Sequence, residues 1–177
     1  MNSNSINPRF MVLAGLVLAA ALTRLLPHPP NFTAVGAIAL FGGAYFNKKV
    51  FAFAVPLIAM LITDLIIGFH PGMYAVYAAF ALIVLIGMQL RENKKIMNIF
   101  LASVSASVSF FIITNFALWV TGNLYPKTGA GLAECFTAAI PFFSYTFVGD
   151  LFFVGIMFGA FEIVKAKFPE LAKVSAN

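Results

Sequence analysis

Charge is what this sequence has least of. Only 10% of its 177 residues are Asp, Glu, Lys or Arg, against roughly 25% in a soluble globular domain, which excludes an ordinary water-soluble fold. A single cysteine, Cys135, excludes an internal disulfide and says little about compartment. The two histidines, His28 and His70, have no fixed helical spacing and make a weak metal signal. There is no phosphate loop, no H-E-x-x-H and no Ser/His/Asp grouping with recognisable context, so ATP hydrolysis by this chain alone is excluded and no enzyme is expected. Nor does any one helix carry an aligned stripe of carboxylates or arginines, as a proton pump or voltage sensor would. No internal repeat or low-complexity tract is present.

What is there is apolar: 62% hydrophobic residues and a mean hydropathy of +0.96. The sequence is that of an integral membrane protein, a single membrane domain over residues 1–177, with the lipid bilayer as its first partner. At about 20 residues per span there is room for roughly six helices. The formal charge of +5 does not point to nucleic acid, because the basic residues sit in clusters between apolar runs, as topology signals do. The 21 Phe are read as lipid-facing and core filling, not as a cofactor box.

The expected fold is an all-α, six-helix transmembrane bundle. Helix one spans about Phe10 to Leu26 and helix two about Thr33 to Tyr45. Helix three spans about Val50 to Phe69, interrupted by Pro56, and helix four about Met73 to Leu90. Helix five spans about Ile96 to Thr121 and helix six about Pro141 to Val164. The longest connection, Gly122 to Ala139, contains a short L-A-E-C-F-T-A-A piece expected as a separate surface or re-entrant helix. The start, Arg9 and then F-M-V-L-A-G-L-V-L-A-A-A-L-T, also resembles a signal peptide with Ala19–Ala21 as a cleavage region; it is read as a retained helix. If six helices alternate, Arg9, Lys48, Lys49, Arg91, Lys94, Lys95, Lys165, Lys167 and Lys173 fall on one side, leaving only Arg24 and Lys127 of the eleven basic residues on the other. The positive-inside rule then makes both termini cytoplasmic.

The stretch from Arg24 to Tyr45 organises the rest. Pro27, Pro29 and Pro30 fix φ and remove donors, so this first loop, with Arg24, His28 and Asn31, holds an extended shape. Gly36, Ala39 and Gly43 then give helix two a face almost without side-chain bulk, which lets another backbone approach. A 13-residue segment rises only about 20 Å, short of the roughly 30 Å hydrocarbon core, and must be sheltered by neighbours or extended by its flanks.

Arg24, Asp64, Asn115 and Asp150 lie in the outer half of the membrane at similar depth, below the three outer loops. An ion near the bilayer centre costs roughly 2.5–3.5 kcal/mol on insertion scales, so these groups are expected to face inward and find partners. Arg24 pairs with Asp64 or with Asp150. Structural stapling of the bundle is one reading of each residue. Their co-location supports another: a pocket entered from outside, walled by Phe, Tyr, Met and Trp119, with a few polar groups fixing orientation. His28 and His70 fall on outer loops, where a surface or capping role competes with contact to a ligand or to its metal through a neutral imidazole.

Six helices, cytoplasmic termini and an outward pocket are similar to the substrate-binding S component of energy-coupling-factor vitamin transporters. More narrowly, R-L-L-P-H-P-P-N-F-T-A-V-G-A-I-A-L-F-G-G-A-Y-F, T-D-L-I-I-G-F-H and T-N-F-A-L-W resemble a family of small bacterial membrane proteins described as candidate transport proteins. The resemblance implies a bacterial inner-membrane location and capture of a vitamin-like molecule under closing outer loops. It also implies partnership with a transmembrane coupling subunit and two ATPases, docked through small residues of helix one, here Gly15 and Ala19. The ligand-contacting set is then Arg24, His28, Asn31, Asp64, His70, Asn115, Trp119 and Asp150. No resident cofactor is expected. Cobalamin is the transported ligand that the resemblance favours, with His70 in the loop that can supply a cobalt ligand. Two alternatives stand beside this reading. One is a self-sufficient small secondary transporter or channel built on Arg24, Asp64 and Asp150; the other is a membrane enzyme using Asp64 and Asp150 as paired carboxylates, for which no nucleophile or metal cluster is supplied.

Overall fold

The computed structural model describes residues 7–172, and Lys173 of the basic set lies outside them. Six α-helices follow one another without a strand among the described residues: α1 (Pro8–Leu22), α2 (Val35–Tyr45), α3 (Lys49–Ile67), α4 (Met73–Gln89), α5 (Ile96–Thr121) and α6 (Gly129–Lys167). Pro8 opens α1 at a position whose N–H needs no partner, and the Asn7 side chain accepts from Arg9 N. A 3-10 turn, Thr23–Leu25, finishes the first span before Pro27. Pro8–Leu25, α3, α5 and α6 are each long and apolar enough to cross a membrane; α2 and α4 are shorter apolar helices. Leu65, Ile66 and Ile67 on α3, Ile112 on α5 and Ile156 and Ile163 on α6 stand exposed. Exposed apolar residues at this density suit a surface in contact with lipid or with other apolar surface.

Two expectations are corrected. Pro56 does not interrupt the third helix, which runs unbroken from Lys49 to Ile67. Its ring fits against Gly42, where a Cβ would collide with Pro56 Cγ, so a neighbouring gap accommodates the proline. The L-A-E-C-F-T-A-A piece is not a separate helix either. It forms the first turns of α6, which begins at Gly129 with Thr128 accepting from Gly131 N and passes through Pro141. The long connection shrinks to Gly122–Thr128. Phe111 holds the extension against α5 by packing on Phe136 and Phe143, with ring centroids 5.4 and 4.9 Å away.

Helix α2 is the centre of the molecule. Every residue from Val35 to Tyr45 is buried, and α1, α3, α4, α5 and α6 all pack against it. The closest crossing is with α4. A Cβ at Gly43 would come within 3.0 Å of Val84 O and Gly87 Cα, and one at Gly87 within 3.0 Å of Leu40 O. Backbone lies on backbone there, as small residues permit.

A buried helix must satisfy its terminal N–H and C=O groups inside the protein. At the C-terminus of α2, Arg91 Nε donates to Gly43 O (3.0 Å) and Arg91 Nη2 to Phe46 O (2.7 Å), while Arg9 Nη2 reaches Tyr45 O at 3.4 Å. At the N-terminus no side chain of α2 itself caps; the Asp150 carboxylate accepts from the Gly36 backbone instead. Cations meet the negative end of the helix dipole and a carboxylate meets the positive end.

These contacts also define two ends of the bundle. Arg9, Tyr45, Arg91, Lys94, Glu162 and Lys165 gather at one, with Tyr45 Oη donating to Glu162 Oε1 (2.9 Å) and Lys94 Nζ 5.2 Å from the Tyr45 ring. Burial first, then Arg9 and Lys165, pull the Lys94 ammonium below its usual pKa. This is the basic end. Arg24, Asp64 and the Pro-rich connection lie at the other.

Candidate functional site

Among the residues that the sequence singles out, Arg24 and Asp64 come together. Arg24 Nη1 is 2.8 Å from Asp64 Oδ1, and both side chains are largely buried, at 13% and 4% exposure. Arg24 also donates to Thr63 Oγ1 (2.5 Å), and Tyr77 Oη donates to Asp64 Oδ2 (2.8 Å). Asp64 is therefore bound on both oxygens, and it is Asp64 rather than Asp150 that takes the arginine. The N-terminal turn of α4, through Tyr77, is tied to the far end of α3.

Asp150 lies elsewhere, on the α5/α6 side of α2. It is 3% exposed. Ser107 Oγ donates to its Oδ2 at 2.7 Å, and Gly36 supplies the backbone donor. One turn along α5 from Ser107, Ser103 Oγ is buried without a partner.

The third place is a cavity of about 230 Å3 between the loop before α2, the start of α4, and the facing halves of α5 and α6. Asn31 and Asn115 line it together with Thr114 and Thr146. Phe110, Phe111, Phe142 and Phe143 supply most of the apolar wall, completed by Val76 and Ala139. Asn31 enters with φ 63°, the left-handed conformation that asparagine tolerates better than most residues. No acidic or basic side chain is in the lining.

The four polar groups expected to meet thus occupy three places rather than one. Asp64 is turned to Arg24, Asp150 to the open end of α2, and only Asn115 faces the hollow. Trp119 is half-buried at the tip of α5, where Nε1 donates to Pro126 O at 2.9 Å. Lys127 stacks over its ring at 5.7 Å and donates to the carbonyls of Trp119 and Gly122. Trp119 therefore fastens the α5–α6 connection. His28 and His70 are exposed; His28 Nδ1 lies 3.0 Å from Pro29 O, and neither histidine is among the cavity's lining residues. Gly15 and Ala19 are exposed on one side of α1, and a Cβ at Gly15 would meet nothing within 4 Å. No group of three His, Cys, Asp or Glu able to hold a metal exists among the described residues.

Sequence reasoning missed Thr63 and Tyr77 as partners of the ion pair, and Thr114 and Thr146 as cavity lining; it expected Phe in the pocket wall without singling out these four rings. The run of small residues from Ala102 to Ser109 did carry a signal for Ser107, since a serine in a close-packed helix face is placed to bond across it. Nothing in the local sequence marks Thr146.

The chain belongs to DUF6580, a family of unknown function, whose model matches residues 4–171. No curated protein and no solved structure matches it. The match covers every helix described above, from α1 to α6.

Proposed function

We propose that this DUF6580 protein is the substrate-binding membrane component of a solute-uptake system. In this reading all six helices span a bacterial inner (cytoplasmic) membrane, α2 and α4 being sheltered or extended by their neighbours, and both termini are cytoplasmic. The observation that carries it is the cavity at the end opposite the basic cluster, walled by phenyl rings and furnished with a few amide and hydroxyl groups. That is the composition of a site that binds a small molecule. The basic end, by the positive-inside rule, faces the cytoplasm, which puts the cavity toward the outside.

A transmembrane coupling subunit and its ATPases are the partners this reading calls for, with the exposed Gly15/Ala19 side of α1 as the docking face. Cobalamin is the ligand that the likeness to S components favours, and His70 would be its cobalt ligand. A cavity of 230 Å3 is far smaller than a corrinoid, and His70 is outside its lining, so a smaller vitamin-like solute fits better. The alternative of a self-sufficient transporter or channel built on Arg24, Asp64 and Asp150 is less well supported. Arg24 and Asp64 neutralise each other, and Asp150 is engaged with Ser107 and α2.

The test is native mass spectrometry of the protein purified in mild detergent. Wild type is expected to carry a small-molecule adduct that Asn115→Leu loses. Added cobalamin is followed in the visible spectrum, with His70→Ala as the control. Absence of any adduct, together with no thermal stabilisation by a panel of vitamin-sized solutes, would defeat the binding reading.

A further inference from the structure

The cavity's own hydrogen bonds restrict what it can hold, and this inference rests on the binding reading above. Thr114 Oγ1 donates to Phe110 O (2.8 Å), Thr146 Oγ1 to Phe142 O (3.2 Å) and Asn115 Nδ2 to Phe111 O (2.8 Å). Both hydroxyl protons are thus returned to the helix on which they sit. What remains for a ligand is the hydroxyl lone pairs, the Asn115 carbonyl oxygen and its second N–H. Among the described residues no hydrogen bond engages the Asn31 side chain, which adds one carbonyl and two N–H donors. The lining therefore offers acceptors and amide donors side by side.

It offers no formal charge. A carboxylate or phosphate entering this space would exchange part of its hydration for neutral partners and apolar wall, which is unfavourable without a cation. The two cations at this end of the bundle are engaged elsewhere: the Arg24 guanidinium is paired with Asp64, and Lys127 is bound to carbonyls at the α5–α6 connection. An amide on the ligand answers an amide on the protein, donor to acceptor and acceptor to donor. The phenyl rings in the lining favour an aromatic body.

We infer that the cavity takes an uncharged, planar aromatic amide or lactam of one or two rings, read through Asn31 and Asn115.

Benzamide, benzoate and benzamidine test this directly, since they share one shape and differ in charge. Ligand-observed NMR on the purified full-length protein in nanodiscs should give binding for benzamide, with benzoate and benzamidine weaker by at least about 100-fold, as expected when a site's polar groups are mismatched. Asn115→Leu should weaken benzamide about tenfold or more. Asn115→Asp keeps the shape and adds a negative charge; it should reverse the preference toward benzamidine, a change that a loss of folding would not produce. If benzoate or benzamidine binds wild type as well as benzamide and is lost in Asn115→Leu, the uncharged class is wrong while the binding reading stands. If none of the three binds, the molecule carried in native mass spectrometry decides. A charged adduct overturns the class alone, an uncharged aromatic amide upholds it, and no adduct overturns both.

Discussion

Gly36 has no side chain in the space that the Asp150 carboxyl group occupies: a Cβ built on it would lie within 3.0 Å of Asp150 Cγ and both carboxylate oxygens. The absence of a methyl group lets α6 deliver an acceptor to the N-terminus of a helix that carries no cap of its own. Gly36→Ala is expected to cost about 1–3 kcal/mol, the usual penalty for overpacking. Asp150→Ala should cost a similar amount by leaving the Gly36 N–H unpaired and Ser107 Oγ with Ser103 O as its one remaining acceptor. The two effects should fall short of additivity in the double variant, because removing the carboxyl removes the clash. Reversible unfolding in mixed micelles measures all three, and strict additivity would contradict the contact.

The α2–α4 crossing depends on Gly43 and Gly87 in the same manner, but there the opposing atoms are backbone and cannot turn aside. Gly43→Val and Gly87→Val should each destabilise by about 3 kcal/mol or more, whereas Gly15→Val, which meets nothing within 4 Å, should be nearly silent. Thermal melting of the three variants in one detergent checks the ranking. Equal effects at Gly15 and Gly43 would rule out the close crossing.

Breaking the buried pair of Arg24 and Asp64 should be worse than removing it. Asp64→Leu strands a buried guanidinium and should cost about 3–5 kcal/mol. The double change Arg24→Met with Asp64→Leu should recover much of that, since the desolvation penalty of both charges disappears. Tyr77 loses its acceptor either way. Unfolding free energies of the single and double variants decide; a double variant less stable than both singles would show that the pair contributes more than its desolvation.

The proposed orientation is checked by chemical labelling of the two ends. With Cys135→Ser as background, Leu124→Cys in the α5–α6 connection, where Leu124 is 73% exposed, should react with a membrane-impermeant maleimide on intact cells. Glu92→Cys between α4 and α5 should react only after the membrane is opened. The opposite pattern would invert the topology and point the cavity at the cytoplasm.

Much of the helical framework was legible because it follows from composition and punctuation. The bounds of α5, Ile96–Thr121, agree with the apolar run between the R-E-N-K-K loop and Gly122. Those of α2 differ from expectation only at the start, where Thr33 and Ala34 remain outside the helix. The two prolines misled, each because local propensity was overruled by a neighbour. Gly42 leaves room for the Pro56 ring, and the packing of Phe111 on Phe136 and Phe143 keeps α6 continuous on both sides of Pro141. The site was less legible still. Arg24, Asp64 and Asp150 were all expected to find partners, but which partner depends on the azimuth of each helix, and a count of residues from a helix end gives depth alone.

By itself the sequence determined that this chain is a helical membrane protein with a segregated basic end and a short, small-residue helix that has to be buried. Those properties are sums over residues: hydropathy, charge placement and side-chain volume need no knowledge of neighbours. Only the tertiary structure decided that Asp64 neutralises Arg24, that Asp150 completes α2 and that two asparagines with four phenyl rings line a hollow without charge. Such pairings depend on how five helices are rotated about one another around α2, and that rotation is fixed by contacts between residues far apart in the chain.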